Sequence, residues 1–354
     1  MITKLQRPLI LIILISLLLL AACAPQAPAP ATQAPAATEA PQTEAPTTPE
    51  MTHLTVSVLP FLSYAPFFIA QEEGYFAEQG LEVEFVRIDK TSDAMPALAQ
   101  GQIDVAAGFF DVSTLNAIAQ GGNIKYVSDK GYLAPQDCSA ACWVLSQALV
   151  ESGELDDLNN IAGKKVAYTP TSSAEYAMDV LIKDTGLSSA DVETLNIPLP
   201  TRLEGLGNGS IDLAAVSDPW TIRMVNAGYG QVWHPWEEVL PNFQFSIIMF
   251  GPNLLEKNRD AGNRFIMAYL KSVKQYHEGK TDRNVEIIAK YTEMDPEEVR
   301  QSCWMIMKDD GMMDLSGMAG FQQWAVEKGY QTKIIPDDQL VDLSFIEYAK
   351  EAMK

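Results

Sequence analysis

Residues 101–108 read Gly-Gln-Ile-Asp-Val-Ala-Ala-Gly, and residues 209–215 read Gly-Ser-Ile-Asp-Leu-Ala-Ala. Each reads as a junction between a helix and a strand. The glycine ends the helix in the left-handed conformation, and the apolar run after aspartate is a strand buried on both faces. Gly80-Leu81 and Gly186-Leu187 form a second matched pair. The repeats fall at corresponding places in two halves of the chain, which predicts two similar α/β lobes.

The grammar around the junctions agrees. In the first half LTVSVL (54–59), LEVEFVRI (81–88), DVAAGF (104–109) and KYVSD (125–129) read as strands. Helices open at Ala65-Pro66, after Ser92 and over 112–120, with proline well suited to a first helical position. The second half restarts with KKVAYT (164–169), VETLNI (192–197) and DLAAVS (212–217), with helices at 173–185, 201–207 and 219–227. From about 254 the chain is helical. Phe265, Ile266, Tyr269, Leu270, Val273 and Tyr276 keep helical spacing. Asp295-Pro296-Glu297-Glu298 is a helix start with a capping residue and proline. These helices are expected to pack on the first lobe.

A chain of 354 residues, 47% hydrophobic, is long enough for two lobes. Its net charge of −21 argues against nucleic acid as a partner. At the N-terminus, Lys4 and Arg7 precede an apolar run, Leu9–Leu20. That run is shorter than the roughly 20 residues of a membrane span. It ends in Leu20-Ala21-Ala22-Cys23, which resembles a bacterial lipobox. Residues 1–22 are expected to be a lipoprotein signal peptide, with lipid added to Cys23 as the membrane anchor. Seven prolines between residues 24 and 50, among Ala, Thr and Gln, cannot build a core. Residues 23–52 therefore read as a tether.

Cys138 and Cys142 lie four residues apart in QDCSAACW. A disulfide between them suits an exterior compartment if the segment is a loop and is poor in a helix. Cys303 reads as a buried core thiol. No histidine or second cysteine pair accompanies these residues, so no metal is expected.

The lipobox, the tether, PFLSYAPFFIAQEEGYFAEQGLEVEF (60–85), GQIDVAAG, IAGKKVAYTPTSSAEYAMDVLIKDTGL (161–187) and GNGSIDLAAVSDPW (207–220) together resemble the solute-binding lipoproteins of ABC importers. The group they are most similar to is the NMT1/THI5-like family. It includes binders of pyrimidine thiamin precursors, riboflavin, sulfonates and nitrate. The resemblance covers about residues 53–330. It implies a two-lobed periplasmic-binding-protein fold of type II, with two crossover strands and a helical C-terminal region. Lobe I is then expected at 53–145 and 246–354, and lobe II at 146–245. The crossings are expected near Trp143–Gln147 and Phe243–Met249. The implied partners are a small-molecule ligand and the importer's permease, and the chain is expected to be a monomer without a cofactor.

Open α/β sheets bind ligands at the C-terminal ends of their strands. Phe61, Ser63 and Tyr64 follow the first strand, and Phe110 and Asp111 follow the third. Ser172, Ser173 and Tyr176 open a helix of the second half, where Ser172 and Glu175 fit a capping box. Asp218 and Trp220 lie in Ser-Asp-Pro-Trp. Asp111 and Asp218 can equally serve as helix caps. The set is aromatic and acidic, with Arg202 the one nearby cation. It suits stacking on a flat, uncharged heterocycle with N–H donors, riboflavin first and a pyrimidine thiamin precursor next. A sulfonate- or nitrate-type anion is the further alternative, and its site would more naturally show a cation or several hydroxyls. The chain lacks G-x-S-x-G, H-E-x-x-H and a P-loop, and its three histidines are scattered. It is expected to be a binder and not an enzyme.

Overall fold

The computed structural model describes residues 51–354. The expected signal peptide, Cys23 and residues 24–50 lie outside the described residues. Ten strands follow in chain order: β1 (Thr52–Val58), β2 (Leu81–Arg87), β3 (Val105–Phe109), β4 (Lys125–Tyr132), β5 (Ala141–Ser146), β6 (Lys165–Ala167), β7 (Glu193–Leu195), β8 (Leu213–Ser217), β9 (Gly230–Pro235) and β10 (Gln244–Phe250). They form two sheets of five, ordered β2-β1-β3-β10-β4 and β7-β6-β8-β5-β9. The orders match place for place. In each sheet the first three strands are parallel. The fourth is antiparallel to both its neighbours, β10 in the first sheet and β5 in the second. This is the α/β, two-lobed, twice-crossed fold that the resemblance implies.

The repeated motif explains why the halves match. Gly101 and Gly209 sit at φ +68° and +74°, the left-handed region where a Cβ is disfavoured. Each frees the chain to turn straight into the next strand. Asp104 and Asp212 then do the same work. The Asp104 carboxylate accepts from the Thr55 backbone N–H at 2.8 Å, and the Asp212 carboxylate accepts from that of Lys165 at 2.8 Å. Their own backbone N–H groups donate to the carbonyls of Thr55 and Lys165 at 3.0 and 2.9 Å. Each aspartate thus registers the strand after it against the first parallel strand of its own sheet.

Strand membership places the crossings earlier than expected. The chain leaves the first sheet at Tyr132 and enters the second at Ala141, so Trp143 is already inside β5. It returns between Val239 and Gln244, and β10 lies wholly in the first sheet. β5 therefore belongs with the second lobe, ahead of the expected boundary at 146. The tether is also shorter than expected at its end, because Thr52 already donates to Gly80 as β1 begins.

The aromatic stretch after β1 divides cleanly. Phe67, Phe68 and Phe76 are buried. Phe67 packs edge-on against Phe265 and Tyr269 of the helix Arg259–Tyr276, at 5.7 and 5.5 Å between ring centroids. That helix covers the first lobe as expected. The helix Leu315–Glu327 does something else, because it reaches the second lobe. The Trp324 indole N–H donates to Asp179 at 2.7 Å, and Lys328 pairs with the same carboxylate at 2.8 Å. Just beyond, the Tyr330 hydroxyl donates to Glu175 at 2.8 Å.

The expected Cys138–Cys142 bridge is corrected. Cys138 pairs with Cys303, with Cα atoms 5.7 Å apart. Cys142 lies in β5 and is wholly buried in the small core of the second lobe, its Sγ 3.6 Å from the Thr221 hydroxyl. Cys138 sits at the exposed tip of the loop before β5. Cys303 is therefore not a free core thiol.

Candidate ligand cleft

A small cleft lies at the C-terminal ends of β1, β3 and β8. It is lined by Phe61, Ser63 and Phe109 from the first lobe, Ser217 and Asp218 from the second, and Cys303 and Met305 from the C-terminal region. Its volume is about 10 Å³, room for about one water. The two lobes touch around it. The Val112 backbone N–H donates to the Thr171 carbonyl at 3.1 Å, and Asp111 and Ser172 form a β-bridge. Arg223 of the second lobe forms an ion pair with Glu298.

Phe61 is half-buried and meets the edge of Phe109 at 5.6 Å, interplanar angle 81°. Phe109 in turn meets Phe245 at 5.0 Å. Opposite them, Asp218 follows β8. Its carboxylate accepts from the Ile222 backbone N–H at 3.2 Å and from that of Cys303. Burial pushes its carboxyl up to about 6, against the pull of those two donors. Asp218 is not the N-cap, which is Pro219, but from one residue earlier it holds the N–H of the helix's third residue and also ties the second lobe to the C-terminal region.

The other expected contacts lie elsewhere. Tyr64 is fully buried, and its hydroxyl donates to the Ala107 carbonyl at 2.6 Å, so it is core. Phe110 is also fully buried, packed against Tyr126, Phe243 and Phe321. Successive residues of a strand face opposite sides, and it is Phe109 that takes the cleft side. Asp111 caps the following helix, accepting from Thr114 N–H at 2.9 Å and Ser113 Oγ at 2.7 Å. Ser172 caps its helix through the Ala174 N–H at 3.1 Å, and Ser173 is buried. Glu175 accepts from the Thr171 backbone N–H at 2.7 Å, one residue short of the reciprocal bond of a capping box. Tyr176 packs among Phe243, Phe321 and Trp324, where the second lobe meets the C-terminal helix. Trp220 lies under the Arg223 guanidinium, 4.9 Å from its centroid, away from the cleft lining. Arg202 is spent on the fold, donating to the carbonyls of Ile197 and Ala215 at 3.0 and 2.7 Å.

The sequence reading missed Lys130. It lies in β4, wholly buried, with its Nζ donating to Ser63 Oγ at 3.0 Å and to the Ser63 carbonyl at 3.3 Å. The ammonium also sits 3.7 Å from the centroid of the Tyr64 ring. Burial holds its pKa well below that of a free lysine. The signal was present, since a lysine lies inside a strand that is otherwise buried. The expected strand ended at 129, three residues short of the end of β4 and just before Lys130.

The three histidines stay apart, as expected. His53 faces Glu84 at 3.4 Å, His277 faces Asp309 at 2.6 Å, and His234 packs on Trp233. Among the described residues no group of three or more histidine, cysteine or acidic side chains is placed to hold a metal. No helix among them is long and apolar enough to cross a membrane.

Comparison with known proteins agrees with the two-lobed fold. The chain is 24% identical over 221 residues to the bicarbonate-binding protein CmpA of Synechococcus, which covers 53% of this chain and 48% of that protein. It is 27% identical over 128 residues to a 4-amino-5-hydroxymethyl-2-methylpyrimidine phosphate synthase of Aspergillus parasiticus, covering 36% of this chain and 34% of that protein. The chain thus spans half or less of the length of these curated relatives. Among solved structures, the ligand-binding component of an ABC-type import system from Staphylococcus aureus superposes with a TM-score of 0.71 at 17% identity. That match covers 84% of this chain and 99% of the other. The model of the NMT1-like family matches residues 47–291, and the chain belongs to that family.

Proposed function

We propose that this chain is the solute-binding component of an ABC importer, anchored outside the cytoplasmic membrane through lipid on Cys23. It captures a flat, neutral heterocycle between its lobes and delivers it to the permease. The observation that carries this reading is the cleft itself. Two aromatic edges, Phe61 and Phe109, face a carboxylate, Asp218, across the seam between two lobes. Aromatic walls hold a ring, and the carboxylate accepts from its N–H groups. The likeness to an ABC import component supports the role, since both share the two-lobed fold.

Riboflavin, the first ring expected from the sequence, rested on five stacking aromatics. Tyr64 and Phe110 are core, and Tyr176 and Trp220 lie outside the lining. Phe61 and Phe109 remain, meeting edge to face in a small cleft, so a single-ring pyrimidine stands ahead of riboflavin. A second reading is a compact anion such as hydrogen carbonate. It is favoured by the size of the cleft and by the buried ammonium of Lys130 beneath it.

Thermal unfolding of the purified chain against a metabolite panel tests the role. A ligand at 100 times its dissociation constant stabilises by about 2.7 kcal/mol, which raises Tm by several degrees. A panel of heterocycles, riboflavin and small anions that leaves Tm unmoved would sink the reading. Turnover of a bound ring would instead mark an enzyme, as the Aspergillus relative is named.

A further inference from the structure

Lys130 is a fully buried lysine, and the one acid whose charge reaches it is Asp129, next to it in the chain. Its neighbour Asp129 lies on the other face of β4, where its carboxylate accepts from Gln244 Nε2 at 2.7 Å, Gly131 N–H at 2.9 Å and Lys308 N–H at 2.8 Å. Among the described residues Lys130 forms no ion pair. What it does hold is Ser63, a residue of the cleft wall. The Ser63 oxygen accepts from Lys130, so the hydroxyl proton is left to be donated elsewhere. The other wall has the opposite character. Each oxygen of Asp218 takes one backbone N–H, the Thr221 hydroxyl adds a further donor, and a carboxylate has lone pairs for more than these three.

The geometry points to a cleft that selects compact ligands carrying an acceptor and an N–H or O–H donor on one edge, the acceptor facing Ser63–Lys130 and the donor facing Asp218. This rests on the solute-binding reading of the cleft. Such an edge is found on hydrogen carbonate and on the lactam of a single-ring heterocycle such as uracil. Nitrate and sulfonates lack the donor. They would set lone pairs against the Asp218 carboxylate and leave its further lone pairs without a partner, and a site built around a hydrogen bond rejects strongly the analogue that lacks it. A cation alone would favour those anions. The paired walls reverse that preference.

Calorimetric titration of the purified chain with hydrogen carbonate, uracil, riboflavin, nitrate and methanesulfonate tests this. Hydrogen carbonate or a lactam ring is expected to bind at least about 100-fold tighter than nitrate or methanesulfonate, and whichever binds identifies the source. Ser63→Ala should weaken that ligand about tenfold or more, and it should also lower the unliganded Tm, because Lys130 loses its hydroxyl acceptor. Asp218→Asn, which keeps an acceptor and adds a donor, should narrow the margin over nitrate. Lys130→Met should lose affinity to the same extent as Ser63→Ala, and the double variant should lose little more. Nitrate or methanesulfonate binding within tenfold of the best ligand overturns the inference and leaves the solute-binding role standing. Binding by none of the five overturns both.

Discussion

Asp218 shows how burial writes a pH dependence into one residue. Its carboxyl is raised to about 6 because the cleft withholds water, and two backbone donors only partly compensate. In the unfolded chain an aspartate titrates near 4. Between those values the native protein holds a proton that the unfolded chain has released. The group's contribution to stability is therefore full below about pH 4 and is lost as pH rises to 6. Asp218→Asn cannot lose it. Measured by urea unfolding, the variant should gain on the parent by up to about 3 kcal/mol between pH 4 and 7. A gap between the two that is independent of pH would show that the carboxylate is better solvated than its surroundings imply. Asp129 is raised to about 6 by the same cause, but it is present in both proteins and cancels from the comparison.

Among elements, the Cys138–Cys303 bridge stands out because it joins two loops that secondary structure alone leaves independent. One precedes β5, and the other follows the short helix Pro296–Gln301. It closes a loop across 165 residues, and bridges of that span stabilise by roughly 3–5 kcal/mol through the unfolded chain. It also fixes Cys303, whose backbone N–H holds Asp218. Alkylation of the denatured, unreduced protein followed by peptide mapping should label Cys142 and leave Cys138 and Cys303 protected. Label on Cys303 would restore the neighbouring pair Cys138–Cys142. Burial pushes the Cys142 thiol up to about 12, so in the native protein it should resist alkylation at neutral pH.

For the whole molecule the question is what keeps the lobes together. Asp179 joins two groups across that seam, since its carboxylate accepts from the Trp324 indole and pairs with Lys328, while also holding the Ser189 backbone N–H. Arg223–Glu298 and Tyr330–Glu175 flank it. Binding proteins of this shape work by hinge closure, and closure contacts bias the equilibrium before any ligand arrives. Asp179→Ala should expand the unliganded protein, seen as a larger radius of gyration in small-angle scattering, and saturating ligand should bring it back. An unchanged radius would mean that the helix Leu315–Glu327 is a fixed part of the second lobe and does not act as a latch.

The sequence by itself determined the two-lobed α/β plan, because its signals are local. A glycine that ends a helix, an aspartate that registers a strand and an unbroken apolar run each act within a few residues, and they recur at matched places as Gly101–Ala107 and Gly209–Ala215. It also brought Phe61, Ser63 and Asp218 to one set of loop ends. What it left open depends on which face a side chain takes and what lies opposite. Phe109 and Phe110 exchange roles with a half-turn of one strand. Lys130 reaches Ser63 only because β4 and the turn after β1 pack together. Cys138 finds Cys303 rather than its near neighbour because β5 buries Cys142 on the far side. Long-range pairing of that kind is decided by packing, and packing is settled only when the whole chain is folded.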